Sequence, residues 1–477
     1  MASHLIGKRA VVLGAGIGGL TTAGALADHF EQVVVLERDA LPPDVAHRAG
    51  TPQSKHIHGL LGGGQRALGE LFPGFEQDLA RAGAVPIRVT LDVRIEMPGY
   101  DPFPQRDLGF VTYSMSRPLI EFLVRRRVER HANVTLRPCC RVRDLVPSDD
   151  HAVVIAVRFE NADRAGETLS ADMVVDASGR GNLICNLLEA IGRATPEETV
   201  IGVDIGYATA VFAIPDDAPS DWKAIRTLPN IRESTRGALM LPLEGGRWMV
   251  TLGGRGDDKP PGDAEGFLTF AQQLRTPTLY NAIGHAKLLD DVVRFGFSAS
   301  VWRHFEGLEE FPRGLLPLGD AICCFNPVYG QGMSVAAQEA LLLQRLLRSR
   351  KGDPLAGLAP AFFAEASGLI ETPWASAAVP DLALSETEGQ RPPDLERTLR
   401  FRRALNRLAA ADPAVHQKVL EVQHLMKPRS VLLDPAAVSR RRRLVVPTAM
   451  IRPPSRRAAA MCSAVSAETT PHSACIW

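Results

Sequence analysis

The stretch Arg9 to Arg38 constrains the fold more than any other part of this 477-residue chain, because it reads as strand, glycine turn, helix and second strand. The apolar run Arg9 to Leu13 opens directly into Gly14, Gly16 and Gly19, which have the spacing GxGxxG. In such a turn the first glycine permits the tight bend, the second lets backbone N–H groups approach a pyrophosphate, and the third lets helix and strand pack closely. The pattern predicts a phosphate-binding turn at a helix N-terminus.

The residues after the glycines support this interpretation. Strong helix formers predict a helix over Thr21 to Phe30, and Val33 to Leu36 predicts the second strand. Glu37 ends that strand, where an acidic side chain accepts hydrogen bonds from a ribose hydroxyl. Lys8 and Arg9 before a small apolar run imitate a secretory signal, but cleavage there would discard the phosphate turn, so we reject that alternative.

Composition indicates an ordinary globular protein. The chain is 45% hydrophobic and 23% charged, and no apolar run approaches the roughly 20 residues that a membrane helix needs. Its seven cysteines include no CxxC and no zinc-site spacing, which favours buried thiols in a reducing compartment. We therefore predict a cytoplasmic protein without a transmembrane segment.

The charge is unevenly distributed, although the whole chain is neutral. Residues 391–457 hold sixteen Lys and Arg against five Asp and Glu, a balance of +11, and the remainder holds 38 against 49, a balance of −11. The run Arg440 to Arg443 could bind an anionic surface weakly. We prefer the interpretation that it is a solvated surface whose positive charge balances the negative charge of the rest of the chain. We predict no nucleic-acid partner.

Two arginines are candidate pyrophosphate ligands. Arg48 lies in the loop after the second strand, where a guanidinium could bind a pyrophosphate bidentately or simply face solvent. Arg117 opens a predicted helix over Ser116 to Arg130, with serine at the N-cap, and is either near the cofactor or a salt-bridged surface residue. His56 and His58 lack further ligands at a metal-site spacing, so a structural or pocket-lining role is preferred.

The middle of the chain predicts a second strand, turn and helix unit and then a separate sheet. Within Ala171 to Leu188 a buried strand ends at Asp176 and enters a glycine turn, a second geometry for a nucleotide contact. Residues 200–305 contain several half-buried strands and an amphipathic helix at Ala264 to Leu274, which predicts an antiparallel sheet with a covering helix. Four aromatic residues there either line a pocket or fill the core: Trp248, Phe295, Phe297 and Trp302.

A third signal occupies Gly314 to Leu347. After the strand Leu315 to Leu318, the carboxylate of Asp320 is placed for a ribose hydroxyl, although it could also cap its own turn. The loop Pro327 to Gly332 exposes backbone N–H groups, and the helix Gly332 to Leu347 aims its N-terminus at whatever lies against that loop. Such a helix end would stabilise the negative charge of a reduced flavin.

Beyond Pro354 the pattern is helical, with helices predicted near 358–372, 393–410 and 413–426. From Val445 onward the sequence lacks periodicity and predicts a disordered tail.

Taken in order, GAGIGGL with Glu37, VVDASGRGN, and LGDAICCFNPVYGQGMS make the chain resemble the single-component FAD-dependent monooxygenases of the aromatic hydroxylase and squalene epoxidase type. The resemblance spans roughly residues 8–375. Within that group, HRAGTPQSKHIHGLL and FNPVYGQGMS look most like the polyether-type olefin epoxidases. Two departures from the aromatic hydroxylases are Asp-Ala-Ser in place of an Asp-Gly pair and Cys323 in place of a common histidine.

The resemblance implies an α/β fold. It would consist of a Rossmann-like FAD-binding domain of the p-hydroxybenzoate hydroxylase type, an inserted antiparallel-sheet substrate domain and a C-terminal helical segment. The expected ranges are 1–85, 114–195 and 296–375 for the FAD-binding domain, 86–113 and 196–295 for the substrate domain, 376–444 for the helical segment and 445–477 for the disordered tail.

The resemblance also assigns the cofactor-binding residues. Gly14, Gly16 and Gly19 would hold the ADP pyrophosphate, and Glu37, with Arg38 beside it, the adenosine ribose. Arg48 and Arg117 would contact the pyrophosphate region, and Asp320 the ribityl or pyrophosphate end. The isoalloxazine ring would lie against Pro327, Gly330, Gln331, Gly332 and Met333. No protein side chain is assigned as catalytic and no metal is expected.

The implied reaction is a flavin monooxygenation. NAD(P)H would reduce FAD, O₂ would add at flavin C4a, and the distal oxygen of the hydroperoxide would epoxidise or hydroxylate an apolar polyene, polyketide or isoprenoid in secondary metabolism. Alternatives are a phenol hydroxylase, a flavin-dependent reductase of isoprenoid double bonds, and a non-enzymatic escort that binds prenylated partners. A halogenase is disfavoured because it needs a W-x-W-x-I-P stretch, and no two tryptophans here stand two apart.

Overall fold

The computed structural model of the protein describes residues 5–230 and 234–433. Its strands are β1 (Gly7–Leu13), β2 (Phe30–Leu36), β3 (Val85–Arg88), β4 (Val93–Glu96), β5 (Val111–Ser114), β6 (Val134–Arg137), β7 (Arg141–Pro147), β8 (Val154–Glu160), β9 (Gly166–Ser170), β10 (Met173–Asp176), β11 (Glu197–Ala213), β12 (Ala224–Thr227), β13 (Gly237–Leu243), β14 (Arg247–Arg255), β15 (Val293–His304), β16 (Leu315–Pro317) and β17 (Cys323–Cys324). Its helices are α1 (Ile17–Leu26), α2 (Gly62–Leu71), α3 (Phe75–Arg81), α4 (Arg117–Val128), α5 (Leu183–Ala190), α6 (Ala264–Gln272), α7 (Pro277–Ile283), α8 (Gly332–Ser349), α9 (Leu358–Leu382), α10 (Leu395–Ala411) and α11 (Pro413–Gln423).

A parallel sheet in the order β16-β10-β1-β2-β6 carries the phosphate turn. Its central strands are continuous apolar runs because helices cover both faces of such a sheet. Leu13 pairs with Leu36 on one side and with Asp176 on the other, and Asp176 pairs with Pro317. The carboxyl ends of these strands therefore meet at one edge, the usual ligand-binding edge of an open α/β sheet. The predicted α/β fold with a Rossmann-like sheet is confirmed.

Helix α1 begins earlier than the predicted Thr21 to Phe30. Its N-cap is Gly16 and its first residue is Ile17, so the helix starts inside the glycine turn itself. Phe30 is fully buried as the first residue of β2. The boundary prediction was wrong because helix propensity is a weak prior, and close packing of the glycines on β1 overrides it.

The second sheet has the order β17-β15-β11-β14-β13-β12-β4 and is antiparallel except where β12 pairs with β4. Helices α6 and α7 pack on it through buried side chains such as Phe267 and Leu279. The predicted antiparallel sheet with a covering helix is confirmed. Trp248 and Phe297 are core residues of this sheet, each 3% exposed. The predicted domain boundary at residues 295–296 falls inside β15.

Three helices end the described chain. Helices α10 and α11 lie close to their predicted ranges, but α9 runs through Pro373 and Pro380 to Leu382, beyond the predicted end at residue 372. Both prolines are buried, and tertiary packing outweighs the backbone hydrogen bonds that proline removes. The run Arg440 to Arg443 and the tail 445–477 lie outside the described residues. No helix within residues 5–230 and 234–433 is long and apolar enough to cross a membrane.

Candidate functional site

The glycine turn lies at the carboxyl edge of the parallel sheet. Gly14 has a φ of +92°, and a Cβ there would lie 2.8 Å from the carbonyl oxygen of Ala177, so only glycine fits. A Cβ on Gly19 would lie 1.8 Å from the carbonyl oxygen of Gly14, which sets the close approach of α1 to the turn. A Cβ on Gly16 would meet no atom within 4 Å. The start of α1 thus borders open space, where its N–H groups and dipole favour an anion.

Glu37 connects the end of β2 to this turn. Its buried carboxylate accepts hydrogen bonds from the backbone N–H groups of Ala15 at 2.7 Å and Asp39 at 3.0 Å. Arg38 is exposed and donates a hydrogen bond to the Gly50 carbonyl oxygen at 3.3 Å. The structure therefore places Glu37 at the turn and Arg38 on the loop that follows it.

Arg48 is buried within a cluster of carboxylates. Its Nη1 lies 2.9 Å from Asp39 Oδ2 and 3.2 Å from Glu37 Oε2, and its Nε donates to Glu121 Oε1 at 2.7 Å. The Arg48 side chain is only 7% exposed, so the surface interpretation is wrong. Burial would raise the pKa of the Glu121 carboxyl, but Arg117 and Arg48 outweigh burial and hold that pKa below its usual value.

Arg117 shares Glu121 with Arg48 but keeps one donor free. Its Nη2 lies 2.7 Å from Glu121 Oε2, whereas its buried Nη1 has no hydrogen-bond partner among the described residues. The predicted N-cap holds, because the Ser116 side chain accepts a hydrogen bond from the Leu119 N–H at 3.3 Å. Burial lowers the pKa of the Arg117 guanidinium and so disfavours its charge. An anionic ligand bound to Nη1 would supply the missing hydrogen-bond partner and would stabilise the guanidinium charge.

Asp320 and the start of α8 lie together. A Cβ on Gly332 would be 3.6 Å from Asp320 Oδ1, and no described residue donates a hydrogen bond to that carboxylate. The side chain is solvent-accessible, yet the surrounding protein raises the pKa of the carboxyl, with Arg180 opposing this effect. Behind it, fully buried Glu339 accepts a hydrogen bond from the Gly319 N–H at 2.6 Å. Burial raises the pKa of Glu339 to about 8.

The loop between Pro327 and Met333 faces the segment before α2. Gly330 has a φ of +65°, and a Cβ there would lie 3.8 Å from the Gly59 nitrogen. Gln331 is buried and its Oε1 lacks a hydrogen-bond partner within the described chain. The loop therefore offers backbone and an unpaired amide oxygen at the N-terminus of α8.

Asp381 holds this loop, and the sequence analysis missed it. Its carboxylate, 1% exposed, accepts hydrogen bonds from Asn326 Nδ2 at 2.9 Å, Tyr329 Oη at 3.0 Å and Arg255 Nη2 at 2.5 Å. Burial and the nearby Asp381 carboxylate raise the pKa of Tyr329 well above its usual value. Asp381 follows two prolines in a helix that the periodicity ended earlier, so no local signal identified it.

The C-terminal end of α11 also contacts the site, which the sequence analysis did not predict. The Gly62 N–H donates to His424 Nδ1 at 3.2 Å, and the Gly63 N–H donates to the His424 carbonyl oxygen at 2.7 Å. A Cβ on Gly63 would lie 2.3 Å from the carbonyl oxygen of Leu425. The GGG run at the start of α2 thus serves close contact with this segment rather than phosphate binding.

Other candidates have structural roles. Asp176 is 1% exposed and accepts hydrogen bonds from its own turn residue Ser178 at 2.6 and 3.0 Å, so its carboxylate is used inside the turn. His56 Nδ1 lies 2.7 Å from Thr209 Oγ1, and His58 Nδ1 lies 3.0 Å from the His56 carbonyl oxygen. Within the described ranges no group of His, Cys, Asp and Glu is arranged to hold a metal ion. The five cysteines in those ranges are free thiols.

Comparison with known proteins supports the fold and places the chain in a family. No protein-family model matches it. The flavin-dependent brominase Bmp2 superposes with a TM-score of 0.64 at 14% identity, over 92% of this chain and 99% of Bmp2. The tetrameric form of 2-methyl-3-hydroxypyridine-5-carboxylic acid oxygenase superposes with a TM-score of 0.56 at 17% identity, over 78% of this chain and 89% of the oxygenase. The chain therefore has the fold of flavin-dependent halogenases and of this oxygenase.

A relative in sequence is Protein Rv3254 of Mycobacterium tuberculosis (strain ATCC 25618 / H37Rv). The two are 34% identical over 365 residues, which is 73% of this chain and 76% of Rv3254. A match of this extent covers most of both chains rather than a single motif. The chain belongs to the same family as Protein Rv3254.

Proposed function

We propose that the protein is an FAD-dependent monooxygenase that uses NAD(P)H and O₂ to oxidise a small organic substrate. The convergence of three separate chain segments carries this proposal. A Cβ on Gly18, in the glycine turn, would lie 3.2 Å from Leu318 Cδ2 and 3.6 Å from Ala336 Cβ. The phosphate turn, the strand before Asp320 and the start of α8 therefore meet at one place.

The residues present fit an extended dinucleotide. Open space above Gly16 suits a pyrophosphate, and the unpaired Nη1 of Arg117 supplies a buried donor for an anion. Glu37 would hold the adenosine ribose, and solvent-accessible Asp320 a ribityl hydroxyl or the pyrophosphate end. The N-terminus of α8 would lie at the ring, where its dipole favours negative charge.

When bound, FAD would supply the redox and oxygen chemistry, and the protein would supply position, charge and exclusion of water. The loop Pro327 to Met333, fixed by Asp381, would orient the ring. Tyr207 and Phe295 stack with ring centroids 6.3 Å apart, and the Tyr207 Oη lies 3.5 Å from Asn326 Oδ1. This aromatic pair supplies an apolar wall next to the loop.

That wall favours an apolar substrate body, and the resemblance of the loops to olefin epoxidases favours epoxidation of a polyene over hydroxylation of a phenol. A reductase of isoprenoid double bonds would use the same cofactor site without O₂. A flavin-dependent halogenase shares the fold, but the chain lacks two tryptophans two apart. Both oxygenations put one atom of O₂ into the product, whereas the reductase and the halogenase do not, so a labelling experiment separates these three classes of reaction.

The first test is cofactor binding. The purified protein should be yellow or become yellow with FAD, and Asp320→Ala should lower FAD retention without unfolding the protein. A colourless protein that ignores added FAD would contradict the proposal and favour a non-enzymatic escort.

The second test is incorporation of oxygen-18. With NAD(P)H, ¹⁸O₂ and a panel of polyenes and phenols, a monooxygenase transfers one labelled oxygen to the product. Product formation without O₂ indicates a reductase, and a product that requires added bromide or chloride indicates a halogenase. Oxidation of NAD(P)H with no oxygenated product from the whole panel would count against the proposal.

A further inference from the structure

The antiparallel sheet has one face that α6 and α7 do not cover. On β11, Ala208 and Ala210 pack in the cluster that contains these two helices, so Tyr207 and Thr209, which alternate with them, lie on the opposite face. The Tyr207 Oη lies 3.5 Å from Oδ1 of Asn326, the residue that precedes the loop proposed to hold the flavin ring. We therefore call this face the loop-side face of the sheet.

The loop-side face is partly open. Strand register pairs Tyr207 with Phe295 on β15. It also pairs Thr209 with Thr251 on β14, and Thr251 with Leu239 on β13, so all of these side chains share the face. Phe295, Thr251 and Leu239 are only half-buried, whereas their neighbours under α6 and α7 are buried. The described residues thus leave part of this face accessible to a ligand.

His56 lies on the loop-side face. It is 6% exposed, and its ring packs against Phe295 and Tyr207 with ring centroids 5.5 and 6.3 Å away. Three residues further along the chain, the nitrogen of Gly59 lies 3.8 Å from a Cβ placed on Gly330. His56 therefore belongs to a segment that passes from the loop-side face to the loop proposed to hold the flavin ring.

Only one nitrogen of the His56 ring has a partner. Nδ1 lies 2.7 Å from Thr209 Oγ1, which in turn lies 2.7 Å from Thr251 Oγ1, whereas the buried Nε2 forms no hydrogen bond with any described residue. Burial, with a smaller effect from Lys55, lowers the pKa of His56 to about 4, so the ring is neutral at neutral pH. A buried polar atom without a partner is costly, and a ligand that hydrogen-bonds Nε2 would remove that cost.

The two threonine hydroxyls allow Nε2 to act as either an acceptor or a donor. When Thr209 donates to Thr251, it accepts from the Nδ1–H group of His56, and Nε2 is an acceptor. When Thr209 donates to Nδ1, the ring proton is on Nε2, which is then a donor. A neutral ring of this kind suits an alcohol or a carbonyl group, whereas a carboxylate would favour a cation.

An unpartnered nitrogen does not by itself identify a binding site. His29 is also buried and also has an unpartnered Nε2, but it precedes β2 and so lies at the amino edge of the parallel sheet, away from the phosphate turn. His56 differs from His29 because it lies on a partly open face beside the loop.

We propose that His56 binds the substrate through Nε2, by a hydrogen bond to the uncharged oxygen of a hydroxyl or carbonyl group. The substrate would then be an apolar molecule with a neutral oxygen group, and its apolar body would lie along Tyr207 and Phe295. This inference rests on the proposed function for the identity of the ligand as the substrate.

The probes are benzyl alcohol with toluene, and acetophenone with ethylbenzene, two pairs that each differ by one oxygen. Their affinities for the full-length protein, after addition of FAD, are measured by ligand-observed NMR titration. His56→Asn can keep the contact with Thr209 but does not reach the position of Nε2, whereas the longer amide of His56→Gln does reach it. The affinity of each oxygenated probe relative to its hydrocarbon should fall about 3- to 10-fold in His56→Asn, the effect of one neutral hydrogen bond, and should be largely retained in His56→Gln. His29→Asn is the matched control and should leave both ratios unchanged.

Relative affinities that do not change in His56→Asn, or no binding of any probe at millimolar concentration, would overturn the proposal. If His56→Asn does not fold, ¹⁵N-histidine NMR of the parent protein decides, with His56→Gln used to assign the ring. The oxygenated probes should shift the His56 Nε2 resonance and the hydrocarbons should not; equal shifts would mean that the ring is only structural. These measurements need no flavin signal. A colourless protein that shows the His56 effect would contradict the proposed function alone, and a yellow protein without it would contradict this inference alone.

Discussion

The two ends of the proposed cofactor cleft are built in different ways. The phosphate end uses residues close in sequence, Gly14 to Gly19 and Glu37, and its buried Arg48 is matched by three carboxylates within 3.2 Å. The ring end uses segments from across the chain, including Gly62, the loop before α8 and Asp381.

This difference separates the residues that stabilise the fold from the residues that are available to bind a ligand. At the phosphate end most charged side chains are already paired within the protein. A pyrophosphate could therefore bind only the unpaired Nη1 of Arg117 and the open turn at Gly16. At the ring end, the position of the loop depends on one buried carboxylate, that of Asp381. Cofactor affinity should therefore respond to changes at the first end, and loop order and substrate choice to changes at the second.

The largest effect should come from two glycines of one turn. A Cβ on residue 19 would lie only 1.8 Å from the carbonyl oxygen of Gly14, so the side chain of Gly19→Val would clash with the backbone. We therefore expect this variant to be poorly folded or insoluble. Gly16→Val meets no protein atom within 4 Å of its Cβ, so the fold should survive while FAD binding is lost. Circular dichroism and flavin absorbance measure the two effects separately. A folded Gly16→Val protein that retains FAD would show that the pyrophosphate lies elsewhere.

The next effect tests the ring end. Asp381→Leu leaves Arg255, Asn326 and Tyr329 without their common acceptor, and removal of one partner of a buried ion pair costs about 3–5 kcal/mol. Chemical denaturation should show this loss. The matched control is Glu70→Leu on α2, whose partner is Arg345 and whose side chain is 54% exposed; it should cost less than about 1 kcal/mol. Equal losses in the two variants would mean that Asp381 does not hold the loop.

The same comparison explains which parts of the molecule could be predicted from its sequence. The glycine turn, β1, β2 and Glu37 are contiguous, so spacing and periodicity identify them, although α1 starts four residues before the predicted Thr21. The antiparallel sheet and the N-cap serine of α4 also follow from local patterns. The positions of Asp381 and His424 do not, because each contacts residues tens to hundreds of positions away.

The local sequence pattern also could not predict that Arg48 and Arg117 are buried. Arg48 and Arg117 could be interpreted as surface residues because nothing near them in sequence reveals Glu121 as a shared partner. A cavity lined by residues of β12, α10 and α11 forms only when these two helices pack on the sheet. Amphipathicity predicts these helices but not the surface they cover.

A smaller effect distinguishes the two arginines. Arg117→Met removes the unpaired Nη1, so FAD affinity should fall about 10- to 100-fold, the effect of one charge-assisted hydrogen bond. Arg48→Met removes a guanidinium whose donors already meet Glu37, Asp39 and Glu121, so its main effect should be on stability. Fluorescence titration of FAD and thermal unfolding measure these quantities. A stronger loss of FAD affinity in Arg48→Met would reverse the assignment.

The smallest effect concerns Glu339, which lies behind Asp320. Its pKa in the fold is about 8, whereas an exposed glutamate has a pKa of about 4.3. As pH rises, the unfolded chain ionises first, so the contribution of Glu339 is full below about pH 4.3 and is lost as pH approaches 8. Glu339→Gln keeps an acceptor for the Gly319 N–H but cannot ionise. The variant should therefore gain at least about 1 kcal/mol relative to the parent between pH 5 and pH 8, because each pH unit in that window is worth up to about 1.4 kcal/mol. Denaturation of both proteins across this range measures the difference, and parallel curves would show that Glu339 is ionised in the fold.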